Sequence, residues 1–76
     1  MNNKRRQEIQ GIKQRISEAK EDVRSVMDDE QDCLDNMPEN LENSDRYRAS
    51  EAAIDALDDA ISSLEDAIEE LDTACE

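Results

Sequence analysis

Ala53-Ile54-Asp55-Ala56-Leu57-Asp58-Asp59 is followed directly by Ala60-Ile61-Ser62-Ser63-Leu64-Glu65-Asp66 and then by Ala67-Ile68-Glu69-Glu70-Leu71-Asp72-Thr73. Each of these seven-residue units begins with alanine, has isoleucine second and leucine fifth, and has an acidic residue sixth. Aliphatic residues that recur at steps of three and four are typical of a helix with one apolar seam. The repeat therefore predicts a long amphipathic helix whose outer surface carries carboxylates.

The first half of the chain has a run with the same spacing. Its seam positions are Ile9, Ile12, Ile16, Ala19, Val23, Val26, Glu30 and Cys33, and Met37 ends the run. Met27 and Leu34 widen the apolar strip near its end, and Gly11 lies next to the seam, where a close approach to the other helix is an option. This spacing predicts a second helix, sustained over about four repeats.

The segment between the two runs predicts a turn. Pro38 cannot continue a helix, and it biases Met37 away from helical geometry. Ser44 is a favourable N-cap, and Asp45 follows it in the first turn, where carboxylates are favoured. We therefore predict an all-α protein, a single antiparallel helical-hairpin domain over residues 1–76 that forms a two-helix coiled coil. Its helices are expected at about 4–36 and 44–75, with the turn at 37–43.

An antiparallel register can be derived by pairing residues whose numbers sum to about 80. The apolar layers that result are Ile9 with Leu71, Ile12 with Ile68, Ile16 with Leu64, Ala19 with Ile61, Val23 with Leu57, Val26 with Ile54, and Cys33 with Tyr47. The remaining polar layer joins Glu30 to Ser50. One flank then brings Lys13 and Lys20 alongside Glu51, Asp58, Glu65 and Asp72.

The other flank of this register carries an alanine stripe, formed by Ala53, Ala60, Ala67 and Ala74. A single hairpin would leave these residues poorly covered. We therefore expect the alanine stripe to be an oligomer interface, most simply that of a homodimer in which two hairpins form a four-helix bundle.

Composition limits the classes of partner. The chain has 76 residues, with 22 acidic and nine basic side chains and a net charge of −13. Residues 1–24 carry seven basic and four acidic groups, which gives a net charge of +3. Residues 25–76 carry two basic and eighteen acidic groups, which gives a net charge of −16. Such a chain repels nucleic acid and anionic lipid, so we expect a basic protein as partner, with no direct nucleic-acid or membrane binding. Two cysteines without an export signal indicate reduced thiols and a cytoplasmic location.

Several kinds of chemistry lack the residues that they need. Histidine is absent, and Cys33 and Cys75 would lie at opposite ends of the hairpin, on the order of 40 Å apart. A calcium loop beginning at Asp28 would need glycine at its sixth position, where Cys33 stands. Adjacent carboxylates such as Asp58 and Asp59 have no apolar shell of the kind that acid–base catalysis requires. We therefore expect no enzymatic activity, no cofactor and no metal.

The acidic surface of the second helix is the strongest functional feature. From residue 49 onward there are ten acidic residues and no basic one. We expect the partner-binding surface, called the acidic face below, to consist of Asp55, Asp58, Asp59, Glu65, Asp66, Glu69, Glu70 and Asp72. By helical rise, two chains side by side would carry one net charge per about 1.8 Å, close to the value of about 1.7 Å for duplex DNA. Two questions stay open at this point. The acidic surface could serve only solubility, and the basic residues of the first helix could either neutralise the second helix or contact nucleic acid.

The chain resembles a group of short acidic proteins that are encoded by phages and mobile elements of Firmicutes-type bacteria. The resemblance covers nearly the whole chain and is carried by Arg5-Arg6-Gln7-Glu8-Ile9, Asp29-Glu30-Gln31-Asp32, Asp35-Asn36-Met37-Pro38-Glu39-Asn40-Leu41 and Ala52-Ala53-Ile54-Asp55-Ala56-Leu57. The turn segment is the most specific of these. No activity is assigned to the group, so the resemblance supplies a genomic context and no mechanism.

That context favours an inhibitor that occupies the basic nucleic-acid groove of a host enzyme, as anti-CRISPR and anti-restriction proteins do. The alternative function is a structural or assembly adaptor whose alanine stripe binds a partner helix. In that case the negative charge would only keep the protein soluble.

Overall fold

The structure, a computed structural model, describes residues 1–38, 40 and 44–76. Within this part the chain forms two helices, α1 at Asn3–Asp35 and α2 at Asp45–Ala74, and no strand. Each helix end lies within one residue of its expected place. Of the segment expected to form the turn, residues 39 and 41–43 lie outside the described part.

The helix ends follow from local chemistry. The Asn2 side chain accepts a hydrogen bond from the Arg5 backbone N–H at 2.9 Å and so caps the start of α1. At the other end, the Asn36 side-chain amide donates to the Asp32 carbonyl at 2.8 Å. Ser44 caps α2, as expected, by accepting from the Tyr47 N–H at 3.2 Å. The Asn2 and Ser44 bonds satisfy backbone N–H groups that have no partner within a helix, and the Asn36 amide adds a second donor to the Asp32 carbonyl, which also accepts from the Asn36 backbone N–H.

The two helices pack side by side in opposite directions, which confirms the helical hairpin. Near the open end, the Arg6 guanidinium donates to the Cys75 carbonyl at 3.1 Å. Near the turn, the Ser50 hydroxyl donates to a Glu30 carboxylate oxygen at 2.6 Å. The second bond is the polar layer of the expected register, so the alignment of the helices is the one that the sequence predicts.

The Glu30–Ser50 bond gives the first prediction. Ser50 is buried and Glu30 is half-buried, so Ser50→Ala leaves a carboxylate with reduced access to water and no partner on α2. We expect the free energy of unfolding in urea to fall by about 1–2 kcal/mol. Ser63→Ala, at an exposed position of the same helix, controls for the change in helix propensity. Equal effects of the two substitutions would show that this bond contributes nothing.

The face that α1 turns toward α2 differs from the expected seam. Of the residues expected to form layers, Ile12, Ala19, Val26 and Cys33 are exposed, with Ile12 at 38% and Val26 at 55%. The residues that directly follow them in the chain are half-buried instead: Lys13, Lys20, Met27 and Leu34. The prediction that these four residues belong to the covered seam of α1 is therefore wrong. The contact face of α1 is turned about the helix axis by on the order of 50°.

Side-chain length explains this rotation. Lys13 and Lys20 keep only 19% of their side-chain surface exposed, so their aliphatic stems lie along α2 while their ammonium groups reach α2 carboxylates. Met27 and Leu34 add longer apolar side chains to the same side of α1. Together these residues cover more of α2 than Ala19 and the short Val26 would. On α2 the expected seam holds, since Ile61 is 5% exposed and the other large seam residues are half-buried.

The core of the hairpin is thin. Ile61 is the only buried hydrophobic residue of the described part, and it keeps 5% of its surface exposed. The molecule measures 59 × 15 × 12 Å, with a radius of gyration of 17.4 Å, whereas a compact chain of this length has about 11 Å. Its accessible surface is 5617 Å², so folding removes only about 55% of the surface of the extended chain from water. A single hairpin is therefore one layer of structure with little buried apolar area.

Gly11 gives the second prediction. It is helical and exposed, and a β-carbon placed there meets nothing within 4 Å, so the hairpin contains no close approach at this residue. Gly11→Ala is expected to raise the free energy of unfolding by about 1 kcal/mol, because alanine loses less backbone entropy in a helix. Thermal melting followed by circular dichroism should show a midpoint about 4–8 °C higher. Ala52→Gly, at an exposed position of α2, should lower it by a similar amount.

Candidate acidic binding surface

The acidic face lies on the solvent side of α2. All eight of its residues are exposed. The seven-residue repeat explains this placement, because its isoleucines and leucines fix the inner side of α2 and the polar positions between them must then point outward.

Ion pairs with α1 compensate two carboxylates of this face. Lys13 pairs with Asp72, and Glu65 receives both Lys20 at 3.8 Å and Arg24 at 3.7 Å. These contacts lie on the flank where the register predicts lysines beside carboxylates. The carboxylates are half-exposed to solvent, so each pair contributes on the order of 0–1 kcal/mol.

The other six carboxylates of the acidic face have no cationic partner. Within 4 Å no Lys or Arg nitrogen of residues 1–38, 40 and 44–76 reaches them. They are Asp55, Asp58, Asp59, Asp66, Glu69 and Glu70. Because a helix rises about 1.5 Å per residue, they extend over roughly 22 Å of α2. This part of the surface is negative and leaves its carboxylate oxygens available to outside donors.

The basic residues of α1 are only partly used within the hairpin. Lys13, Lys20 and Arg24 neutralise α2 carboxylates, and Arg6 donates to the carbonyl of Cys75, the C-cap residue of α2. A guanidinium at a helix C-terminus is favoured by the helix dipole. The expectation that basic residues neutralise the second helix is thus confirmed for these contacts. Lys4, Arg5 and Arg15 are exposed and form no ion pair with any described residue.

A second acidic group, which the expected site did not include, lies on α1 near the turn. Its members are exposed: Asp28, Asp29, Asp32 and Asp35. Because α1 remains helical through this segment, it has no loop in which carboxylates could converge. No group of three or more His, Cys, Asp or Glu residues in the described part of the chain could hold a metal ion. The signal for this group was present in the sequence as the density of aspartates from residue 28 to 35.

Charge is distributed unevenly along the hairpin. Residues 19–61, the half that contains the turn, carry fourteen acidic and four basic groups, a net charge of −10. Residues 1–18 and 62–76, the half that contains both termini, carry eight acidic and five basic groups, which gives a net charge of −3. Over the length of 59 Å, one chain has one net charge per about 4.5 Å, and two chains side by side would have one per about 2.3 Å. The linear charge density of the pair is lower than the sequence analysis predicts, because the hairpin is longer than a single helix. It stays within a factor of two of the linear charge density of duplex DNA.

The two cysteines lie at opposite ends of the hairpin and are both free. Cys33 is exposed near the end of α1, contrary to its expected place in the seam, and Cys75 is half-buried at the end of α2. Neither helix has a stretch that is apolar enough and long enough to cross a membrane, over the residues that the structure describes.

Comparison of the chain with known protein families, with characterised proteins and with solved structures found no match.

Proposed function

We propose that this protein is a non-enzymatic binding protein whose acidic face docks on a basic protein and blocks its nucleic-acid-binding groove. The proposal includes an origin in a phage or mobile element, action in the host cytoplasm against a defence protein of the CRISPR or restriction type, and a homodimeric state. The observation that carries it is the set of six exposed α2 carboxylates without a cationic partner.

This arrangement suits recognition by charge. A groove that binds nucleic acid presents Lys and Arg side chains at the spacing of phosphates, and carboxylates on a rigid helix can accept hydrogen bonds from those side chains. Helical packing holds the backbone of α2 in place, so a partner does not have to order it. Attraction between surfaces of opposite charge also speeds association.

A capture experiment tests the proposal. The protein would be immobilised and exposed to host lysate at about 0.05 M salt, and the bound proteins would be released either with salt or with excess duplex DNA. We expect nucleic-acid-binding proteins to be captured and both treatments to release them. Retention of the captured proteins at about 0.5 M salt, or in the presence of excess DNA, would contradict this function.

The adaptor function remains as the second candidate, supported by the exposure of alanines on α2. In the alanine stripe, Ala60 and Ala74 are exposed, and Ala53 and Ala67 are half-buried. Replacement of Ala60 and Ala67 by glutamate separates the two functions. Loss of partner binding with the dimer intact would favour an apolar docking face over the acidic one.

A further inference from the structure

A groove lies between the two helices in the half of the hairpin that contains the turn. We call it the flank groove. It has a volume of about 270 Å³, and its apolar lining consists of Leu34 of α1 and Ile54 of α2, which are both half-buried. Its polar lining consists of Gln31, Glu51 and Asp55. Sites for small molecules have about 300–1,000 Å³, so the size of this groove suits one long side chain.

The seven-residue repeat relates the flank groove to the ion-paired part of the same flank. A shift of two repeats on each helix toward the open end takes Glu51 to Glu65 and Leu34 to Lys20. At that level the stem of Lys20 lies along α2, with 19% of its side-chain surface exposed, and its ammonium group lies 3.8 Å from the Glu65 carboxylate. At the level of the groove the equivalent side chain, Leu34, is shorter and carries no charge.

Glu51 therefore lacks the cations that its equivalent has. Glu65 also receives Arg24 at 3.7 Å, and two repeats further along α1 the place of Arg24 is taken by Pro38. In the part of the chain that the structure describes, no Lys or Arg nitrogen lies within 4 Å of Glu51 or Asp55. These two carboxylates are one helical turn apart, at i and i+4, and like charges at this spacing repel each other. A cation from outside, placed between them, relieves that repulsion.

We infer that the flank groove receives a lysine side chain of the basic partner protein. The aliphatic stem of that lysine lies against Leu34 and Ile54, and its ammonium group donates to the carboxylates of Glu51 and Asp55. Lysine fits by charge, because both carboxylates are unpaired, and by shape, because its four-carbon stem covers apolar surface while its charged end stays in water. This inference rests on the proposed function and adds Glu51, which the acidic face does not include, to the docking surface.

The test uses the peptide pentalysine as probe, titrated into the isotope-labelled full chain at about 0.05 M salt and followed by proton–nitrogen NMR. The side-chain amide of Gln31, which lines the groove, reports the dissociation constant there. Leu34→Lys places a lysine of the chain itself in the groove, where Lys20 stands two repeats away, and should raise this constant at least about threefold. Glu51→Gln removes one carboxylate from the groove and should have an effect of similar size.

Two substitutions near the open end provide matched controls. Gln7→Lys adds the same charge as the Leu34 variant, and Glu8→Gln removes the same charge as the Glu51 variant, both at exposed positions of α1. They lie more than a Debye length from the groove, so each should change the dissociation constant less than about twofold. Circular dichroism shows whether Leu34→Lys keeps its helices. Because Glu51 is exposed, Glu51→Gln tests the groove independently of that result.

Equal dissociation constants for Glu51→Gln and Glu8→Gln would overturn the inference, and so would a Gln31 signal that pentalysine leaves unshifted. The proposed function would survive either result, because the other carboxylates of the acidic face bind a basic protein without the groove. A failed capture experiment together with pentalysine binding in the groove would instead show that the proposed function is the part that is wrong.

Discussion

Ile61→Ala is expected to lower the free energy of unfolding by about 2–5 kcal/mol. Ile61 is 5% exposed and is the only buried hydrophobic residue of the described hairpin, so its truncation leaves a cavity where the core is thickest. Small domains are stable by only about 5–15 kcal/mol, and a chain with so little buried surface belongs near the lower limit. We expect the variant to be largely unfolded near 37 °C, as measured by urea titration and by the helical signal in circular dichroism.

A graded substitution at the same site provides the control. Ile61→Val removes one methylene group and should cost about 1 kcal/mol. Equal losses for valine and alanine would show that Ile61 does not pack as the structure describes. Both variants keep the charge of the chain, so neither changes the acidic face.

Neutralising the six unpaired carboxylates of the acidic face should abolish partner binding. The variant replaces Asp55, Asp58, Asp59 and Asp66 with asparagine, and Glu69 and Glu70 with glutamine, which changes the net charge from −13 to −7. At about 0.05 M salt we expect affinity for a captured basic protein to fall at least about a hundredfold, because each opposite-charge contact contributes a fraction of a kcal/mol or more. Surface plasmon resonance with the captured protein would measure the change. Helicity should be retained, since these residues are exposed and make no ion pair in the described hairpin.

A second variant with the same net charge shows whether position matters. It neutralises six exposed carboxylates of α1 instead: Glu8, Asp22, Asp28, Asp29, Asp32 and Asp35. If the acidic face is the docking surface, this variant should keep most of the affinity. Equal losses in the two variants would mean that overall charge, and not this face, governs binding.

The helices and their alignment could be predicted because local signals agreed with one another. The repeat of alanine, isoleucine and leucine gives α2 its inner side, Pro38 excludes a continuous helix, and Ser44 begins the second one. The two long seams contain one polar layer, and the register can be predicted by placing its two residues opposite each other. The hydrogen bond between Glu30 and Ser50 confirms that register. The position of the acidic face followed from the same repeat, since carboxylates between seam residues have no other place than the outer surface.

The rotation of α1 could not be predicted from the repeat in the same way. Met27 and Leu34 lie beside the seam residues of α1 and widen its apolar strip. Such a strip can turn either of two faces toward α2, one with the expected seam residues and one with the residues that follow them, and sequence spacing alone does not choose between these faces. The choice depends on how the stems of Lys13 and Lys20 lie along α2 once their ammonium groups reach carboxylates. Met27 and Leu34 were the signal that pointed toward the observed face.

The sequence by itself determined that this protein is a helical hairpin with a negative outer surface, because periodicity, helix caps and charge are properties of the chain read residue by residue. Only the tertiary structure decided which apolar residues remain exposed. That depends on the rotation of one helix against the other, where side-chain length and ion pairing together outweigh the seam pattern, and it leaves Ile12 and Val26 beside the alanine stripe of α2.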